Sequence, residues 1–135
     1  MDVILSIKPK YVDEIKKGTK KFEFRRVFSR NIRLVYIYET APTCKIVGTF
    51  EVKRVFEDTP KMLWSRFKDC SGINEAEFFE YFEGVGSGFA IEIKNFKVEK
   101  PFEPEKLVPD FQPPQSFVYV PKKEKENSKL SDYLQ

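Results

Sequence analysis

Three charged side chains that lie close together near the N-terminus are the residues of this chain best suited to chemistry. Lys20, Glu23 and Arg25 place an ammonium, a carboxylate and a guanidinium on one short stretch. Lysine and arginine bind phosphates and oxyanions, and a carboxylate accepts hydrogen bonds from the amino edge of cytosine or adenine. The stretch therefore predicts a site that recognises a base or a nucleotide.

The residues between these charges predict the element that holds them. Phe22 and Phe24 alternate with Lys21, Glu23 and Arg25. Because successive side chains of a strand point to opposite faces, we expect the phenylalanines to face a core and the charged side chains to line the other face.

An alternative interpretation of the same pattern is purely structural. Glu23 and Arg25 lie two residues apart on one strand face, where they can neutralise each other as an ion pair. The sequence leaves both interpretations open.

Hydrophobic periodicity and turn residues predict the elements around this strand. Pro9 suits the first turn of a helix, and Gly18 suits the left-handed conformation that ends one. The remaining predictions are strands over Val3–Ile7, Ile32–Tyr38, Lys45–Val55 and Phe89–Ile93, and shorter strands near Val98–Phe102 and Phe117–Val120. Gly48, inside a long strand, indicates a bulge of the kind that lets a small sheet curl.

Two further helices are predicted from capping residues. One begins after Thr59 and the other after Asn74, where Glu77 three residues later is typical of a capping box. In the second helix we expect Phe78, Phe79 and Phe82 to pack inward.

Composition limits the possible architectures and mechanisms. With 135 residues, we expect one domain over residues 1–121 and a charged tail over residues 122–135. The sequence contains no histidine, which excludes Ser-His-Asp and Cys-His mechanisms. Two cysteines without a C-x-x-C pair indicate neither a disulfide framework nor a zinc site, so we predict no metal ion and no cofactor.

Charge is unevenly distributed along the chain. Residues 1–54 carry 13 basic and 6 acidic side chains, whereas residues 55–108 carry 7 and 11. A basic N-terminal half is consistent with a phosphate-bearing partner, although basic surfaces also serve solubility alone. No apolar run has transmembrane length and no leader pattern opens the chain, so we expect a cytoplasmic protein without membrane contact.

The spacing G-x-K-x-x-E-x-R from Gly18 to Arg25 resembles the signature of the ASCH domain family, which belongs to the PUA-like superfamily. The segments Leu5–Pro9 and Gly88–Ile93 and the strands that end at Tyr38 and Val55 fit the same family. The resemblance implies an α+β fold, namely a small PUA-like β-barrel of about five to six mixed strands with two to three flanking helices.

The resemblance also implies a ligand pocket where the signature meets the barrel mouth. Lys20 would point into this pocket, and Glu23 and Arg25 would line its floor. Ser6 and Lys8, on the neighbouring first strand, are candidates for its edge.

Two further predictions follow from residue types alone. Arg26, together with Arg30 and Arg33, is suited to phosphate contacts outside the pocket. Tyr38, with Tyr36, offers an aromatic surface on which RNA bases could stack, although tyrosines at strand ends commonly pack into a core.

The leading hypothesis from the sequence is a domain that binds RNA or a modified nucleotide, as a monomer or a weak dimer, in RNA metabolism or in regulation linked to transcription or translation. A second hypothesis follows from the resemblance, because a related branch hydrolyses N4-acylated cytidines with a lysine, a threonine and a glutamate. Lys20 and Glu23 would then be catalytic, but Glu23 replaces that threonine, and Glu51 or Glu92 would supply the carboxylate. Two more functions stay open. One is a metal-assisted ribonuclease that uses Glu23 and other carboxylates. The other is a protein-interaction module whose contact is the Phe-rich acidic helix or the tail from Lys122, which an exposed apolar patch over Phe78 and Phe82 would support.

Overall fold

A curled, six-stranded mixed sheet forms the body of the molecule in the computed structural model, which describes residues 1–114 and 116–121. The strand order is β2-β5-β4-β3-β1-β6, with β1 and β3 parallel and every other neighbouring pair antiparallel. The strands are β1 (Asp2–Ile7), β2 (Phe22–Arg25), β3 (Leu34–Glu39), β4 (Lys45–Asp58), β5 (Gly88–Phe102) and β6 (Val118–Tyr119).

Three helices flank this sheet: α1 (Pro9–Lys17), α2 (Pro60–Phe67) and α3 (Glu75–Tyr81), with short 3-10 turns at Lys68–Cys70 and Pro104–Lys106. The predicted α+β class, the number of strands and the number of helices are confirmed. The charged tail predicted over residues 122–135 lies outside the described residues. No helix within the described ranges has the length and apolar character needed to cross a bilayer.

The sheet curls because its two longest strands are bulged. The register between β4 and β5 shifts at three places, and the first of these shifts lies between Ile46 and Gly48, as the glycine predicted. A Cβ at Gly48 would lie 2.7 Å from the carbonyl oxygen of Lys97 and 3.0 Å from the ring of Phe96. Only glycine therefore lets the two strands approach this closely.

The prediction of a separate strand over Val98–Phe102 is wrong. Those residues continue β5, because β4 is long enough to pair along the whole length as far as the Ile46–Phe102 register.

The predicted helix ends agree with the structure. Gly18 adopts φ 82° and its N–H contacts the carbonyls of Glu14 and Ile15, while the Thr59 side chain accepts a hydrogen bond from the N–H of Met62. Asn74 accepts a hydrogen bond from the N–H of Glu77 at 2.8 Å.

The reciprocal half of the predicted capping box is replaced by another contact. The Glu77 carboxylate accepts instead from the side-chain amide of Asn74 and from two residues of α1, Lys10 and Tyr11. The Glu77 carboxylate therefore links α1 to the N-terminus of α3.

Phenylalanines form the core between β2 and the helices α2 and α3. Phe22 stacks on Phe67 with ring centroids 4.2 Å apart, and Phe24 meets Phe78 edge-on at 5.0 Å. Phe78 and Phe82 are 0% and 2% exposed, so the apolar patch that a protein-interaction module would need is not present at these two residues.

The prediction that Phe79 packs inward is wrong. Its side chain is 36% exposed, because it follows Phe78 by one position and a helix turns adjacent residues to different faces.

Arg25 joins the two ends of the curled sheet. Its guanidinium donates to the carbonyl oxygen of Ser6 on β1 at 3.2 Å and to that of Ser116, which precedes β6, at 2.8 Å. Since β2 and β1–β6 lie at opposite ends of the strand order, this side chain helps to close the half-barrel.

Candidate functional site

A cavity of about 570 Å³ opens where β2, the end of β1, α1 and α3 meet. Volumes of this size are usual for small-molecule sites. Its lining combines the signature residues with side chains from the first strand, the first helix and the third helix: Ser6, Ile7, Lys8, Tyr11, Lys20, Glu23, Phe24, Arg25, Arg26, Thr40, Ile73, Glu77, Phe78, Glu80, Tyr81 and Pro114.

The three charges of the signature converge on this cavity. Lys20 Nζ lies 3.6 Å from Glu23 Oε1, and Arg25 Nη1 lies 3.1 Å from Glu23 Oε2. Both interpretations of the sequence therefore describe the same arrangement, because the ion pair exists and it also forms part of the cavity wall. The charges are buried rather than solvated, with side-chain exposures of 2%, 8% and 9% for Lys20, Glu23 and Arg25.

Burial governs the proton affinity of Lys20. Its ammonium donates to the carbonyl oxygen of Ser71 at 2.8 Å and lies near the rings of Tyr11 and Phe24, at 5.4 and 5.2 Å from their centroids. Desolvation lowers the pKa of Lys20 below its ordinary value, and the negative charge of Glu23 opposes this shift. A lysine in this setting can exchange a proton more readily than a solvated one.

Tyr11 and Glu77 complete the polar wall, and sequence reasoning missed both of them. Tyr11 OH and Lys10 Nζ each donate to Glu77 Oε2 at 2.5 Å. Burial, followed by the hydrogen bond to Glu77, raises the pKa of Tyr11 well above its ordinary value. The hydrogen bonds from Lys10 and Tyr11 lower the pKa of Glu77, so its carboxylate stays charged.

Two exposed cations, Lys8 and Arg26, contribute to the cavity lining, and we call them the rim. The backbone N–H of Arg26 donates to the hydroxyl of Tyr81 at 3.0 Å, which fixes this part of the rim against α3. Tyr81, like Tyr11, was not predicted to lie at the site.

Ser6, a residue of β1, also lies in the lining. Its buried hydroxyl has no hydrogen-bond partner within the part of the chain that the structure describes. Its carbonyl oxygen, by contrast, accepts from Arg25.

Tyr38 is the one predicted ligand-binding residue that the structure does not bring to the cavity. It is 6% exposed and packs in a separate apolar cluster, with its ring centroid 4.8 Å from that of Phe111. Desolvation raises its pKa to about 12. The side chain is placed for packing, which is the commoner role for a tyrosine near a strand end.

The carboxylates suggested for a hydrolase also lie elsewhere. Glu51 accepts from Asn95, and Glu92 accepts from Arg54, both outside the cavity lining. The carboxylates in the lining besides Glu23 are Glu77 and Glu80. Among residues 1–114 and 116–121, no three acidic or cysteine side chains cluster closely enough to hold a metal ion.

Comparison with known proteins places this geometry in a family. The model of the ASCH domain matches residues 5–108. An ASCH domain-containing ribonuclease from Zymomonas mobilis is 27% identical over 129 residues, which cover 91% of this chain and 86% of that protein.

Solved structures show the same fold. The crystal structure of ASCH from Zymomonas mobilis superposes with a TM-score of 0.83 at 26% identity, covering 97% of this chain and 94% of the other. The N-terminal domain of McrB from Staphylothermus marinus shares the fold at a TM-score of 0.52 and 15% identity, over 93% of this chain and 90% of that one. The resemblance read from the signature is confirmed, and the α+β architecture is the PUA-like one. The chain belongs to the ASCH domain family.

Proposed function

We propose that this protein binds single-stranded RNA, with one nucleotide seated in the cavity, and that it cleaves the strand there. The observation that carries the proposal is the convergence of Lys20, Glu23 and Arg25 on one wall of a cavity of about 570 Å³. The likeness to a protein named as a ribonuclease, over nearly the full length of both chains, supports RNA as the ligand.

The walls of the cavity suit a nucleobase. The partly exposed side chains of Tyr11 and Tyr81 supply aromatic surface, and RNA-binding proteins hold unpaired bases by stacking on such rings. A base within a duplex cannot enter a cavity of this kind, which favours single strands.

The rim suits the flanking phosphates. Lys8 and Arg26 are exposed and line the cavity, so they can neutralise the backbone while the base is inside. Arg25 is engaged in contacts with Glu23, Ser6 and Ser116, and we assign it to holding the wall rather than to binding phosphate.

Cleavage can use groups of the chain itself. Attack of the ribose 2′-oxygen on the adjacent phosphorus needs one group that accepts the 2′ proton and another that gives a proton to the departing 5′-oxygen. Among the carboxylates that line the cavity, Glu23 and Glu77 can act as acceptors, and Lys20, with its lowered pKa, can act as a donor. The products would be a 2′,3′-cyclic phosphate and a 5′-hydroxyl.

Amidohydrolase activity is less well supported. Glu23 stands where that branch has a threonine, and the hydroxyl of Thr19 is bonded to Glu14 at 2.9 Å. We therefore expect N4-acetylcytidine to remain intact on incubation with the protein. A role in transcription- or translation-linked regulation stays a prediction.

Binding and cleavage are tested separately. A fluorescent single-stranded RNA octamer is titrated with wild-type protein and its anisotropy is followed at several salt concentrations. We expect binding that weakens with salt, with duplex RNA as a poorer ligand. The absence of binding at low salt, or binding that does not depend on salt, contradicts the proposal.

For cleavage, labelled RNA is incubated with the protein in a chelator and resolved on a denaturing gel. We expect cyclic-phosphate products from the wild type and from Lys61→Met, which lies on α2 outside the lining, and none from Lys20→Met. Equal activity of the two variants would remove Lys20 from the reaction. Activity that a chelator abolishes would overturn cleavage by the chain's own groups.

A further inference from the structure

We propose that the turn formed by Cys70, Ser71 and Gly72, which we call the collar, is a positioning element that fixes the ammonium of Lys20 inside the cavity. The collar begins at the last residue of the 3-10 turn Lys68–Cys70 and precedes α3, about fifty positions from the signature along the chain. The inference rests on the proposed function, because it assigns the collar a role in the chemistry of Lys20.

The collar makes three contacts with Lys20 and its neighbour Lys21: with the backbone, with the ammonium and with the aliphatic stem. The N–H of Lys21 donates to the carbonyl of Cys70 at 2.8 Å, which fixes the backbone next to Lys20. The Lys20 ammonium donates to the carbonyl of Ser71 at 2.8 Å. Between these two bonds, Gly72 packs against the lysine stem so closely that a Cβ at Gly72 would lie 2.4 Å from Lys20 Cβ and 2.8 Å from Cγ.

The collar is itself held in shape. Ser71 is 1% exposed, and its hydroxyl lies 2.9 Å from the carbonyl oxygen of Lys68 and 3.1 Å from that of Ile73. Gly72 adopts φ +66°, a conformation that other residues rarely take. Because the turn is constrained in this way, the carbonyl of Ser71 has one position. The Lys20 ammonium must lie next to that position to donate its hydrogen bond.

A merely structural lysine would not need this arrangement. Removing an ammonium from water costs free energy, and a lysine stem can usually bend so that its head reaches solvent. Here the side chain is 2% exposed and has Gly72 against its stem, so the route back to solvent is closed on this side. The Lys20 ammonium is therefore desolvated, which costs free energy, and its position in the cavity is fixed.

The proton affinity of Lys20 depends on its whole surroundings. Glu23 and Arg25 of β2 and Glu14 of α1 act on it directly, and Tyr11 lies beneath its ammonium with Glu77 behind. The titratable groups on or beside the collar are Lys68, Asp69 and Cys70. Desolvation is the largest influence and lowers its pKa, and desolvation is what the collar enforces.

The test compares two glycine variants that carry a similar conformational strain of the backbone. Gly72→Ala and Gly84→Ala both place a side chain at positive φ, at +66° and +78°, but a Cβ at Gly84 meets nothing within 4 Å. The readout is the acetylation of Lys20 by a small amine reagent as a function of pH, measured by mass spectrometry of the peptide that contains it. This readout requires neither RNA nor activity.

We expect Lys20 to label in the wild type and in Gly84→Ala with a midpoint below that of exposed lysines. In Gly72→Ala the midpoint should rise to that of exposed lysines, because the displaced side chain returns to water. RNA cleavage should fall about a hundredfold through kcat with KM little changed, since a displacement of about 1 Å is sufficient for such a loss.

Two results would overturn the proposal: an unchanged Lys20 midpoint in Gly72→Ala, or equal changes in both glycine variants. If Gly72→Ala does not fold, Ser71→Ala serves in its place, because it removes the hydroxyl that contacts the carbonyls of Lys68 and Ile73. A shifted midpoint in Gly72→Ala, with no RNA bound or cleaved by the wild type, would support the positioning role and reject the RNA function.

Discussion

Glu23 and Arg25, two positions apart on β2, form an ion pair at 3.1 Å with side-chain exposures of only 8% and 9%. The opposite side of the carboxylate faces Lys20 at 3.6 Å. The pair therefore does two things at once: it holds the acceptor in the cavity wall, and through Arg25 it joins β2 to the carbonyls of Ser6 and Ser116.

Removal of Arg25 should destabilise the fold strongly. Arg25→Met keeps much of the side-chain volume but removes the nearer of the two cations that face buried Glu23 and leaves only Lys20, and breaking a buried pair typically costs about 3–5 kcal/mol. Urea unfolding measures the difference. The matched control is Lys45→Met, because Lys45 pairs with Glu103 at 2.6 Å but at the surface, and its midpoint should stay near that of the wild type. Equal losses in both variants would show that the burial of the first pair is unimportant.

The approach of β4 to β5 predicts a second stability difference. Gly48→Ala forces a Cβ to within 2.7 Å of the carbonyl of Lys97, so the strands must separate, at a cost of about 1–3 kcal/mol. Gly86→Ala meets nothing within 4 Å and should be nearly neutral. Thermal unfolding of both variants decides the matter, and a Gly48→Ala protein as stable as Gly86→Ala would exclude a tight bulge at this position.

Much of the fold follows from local chemistry that the sequence displays directly. Pro9 and Gly18 mark the ends of α1, and Thr59 and Asn74 cap the next two helices, because each of these residue types satisfies backbone groups or a backbone angle that few others can. The alternation around Phe22 and Glu23 correctly separates a core face from a charged face, since a strand allows no other arrangement.

The rest of the site depends on contacts between distant segments. Tyr11 and Glu77 meet 66 positions apart, and each has a local explanation that conceals the contact: an apolar helix stripe for one and a helix cap for the other. Tyr38 is the opposite case, a residue that was predicted to lie at the site and that the fold places elsewhere. Its strand position indicates a face of the sheet, but the packing of Phe111 over that face cannot be read from spacing.

The contact between Tyr11 and Glu77 should be visible in the titration of the phenol. The carboxylate raises the pKa of Tyr11, so Glu77→Ala should bring that pKa down towards its ordinary value, although burial will keep part of the shift. Ultraviolet titration measures phenolate formation, and Tyr11→Phe identifies the contribution of Tyr11. Glu75→Ala, an exposed acidic residue in the first turn of the same helix, is the control. A Tyr11 pKa that is unmoved in Glu77→Ala would refute the hydrogen bond.

Alkaline pH should remove the stability that Tyr11 contributes. Its folded pKa lies above its unfolded value of about 10, so above that pH the unfolded chain loses a proton that the folded chain keeps. The contribution is therefore complete below about pH 10 and declines as the pH rises further. Lys20 acts in the opposite sense because its pKa is lowered, so the wild-type curve alone mixes the two effects.

The difference between wild type and Tyr11→Phe isolates the tyrosine. We expect the advantage of the wild type in unfolding free energy to be constant up to about pH 9 and to shrink as the pH rises from about 10 to about 12, as followed by urea titration at each pH. A difference that is constant across this range would show that the phenol has the same proton affinity in both states.

The rim provides the sharpest test of how RNA lies across the cavity. Lys8 and Arg26 are exposed, so their replacement by alanine should leave stability almost unchanged while weakening RNA binding. If each neutralises one phosphate, each variant should lower the slope of log K against log salt by about 1, and the double variant by about 2. Lys61→Ala, which changes an exposed lysine of α2 outside the lining, should keep the wild-type slope.

A uniform loss of affinity in all three single variants would point to a diffuse basic surface, whereas a loss without a change in slope would place these side chains against bases instead. Only a slope that falls at the rim and not at Lys61 places the flanking phosphates at the mouth of the cavity, and with them the seated nucleotide within reach of Lys20.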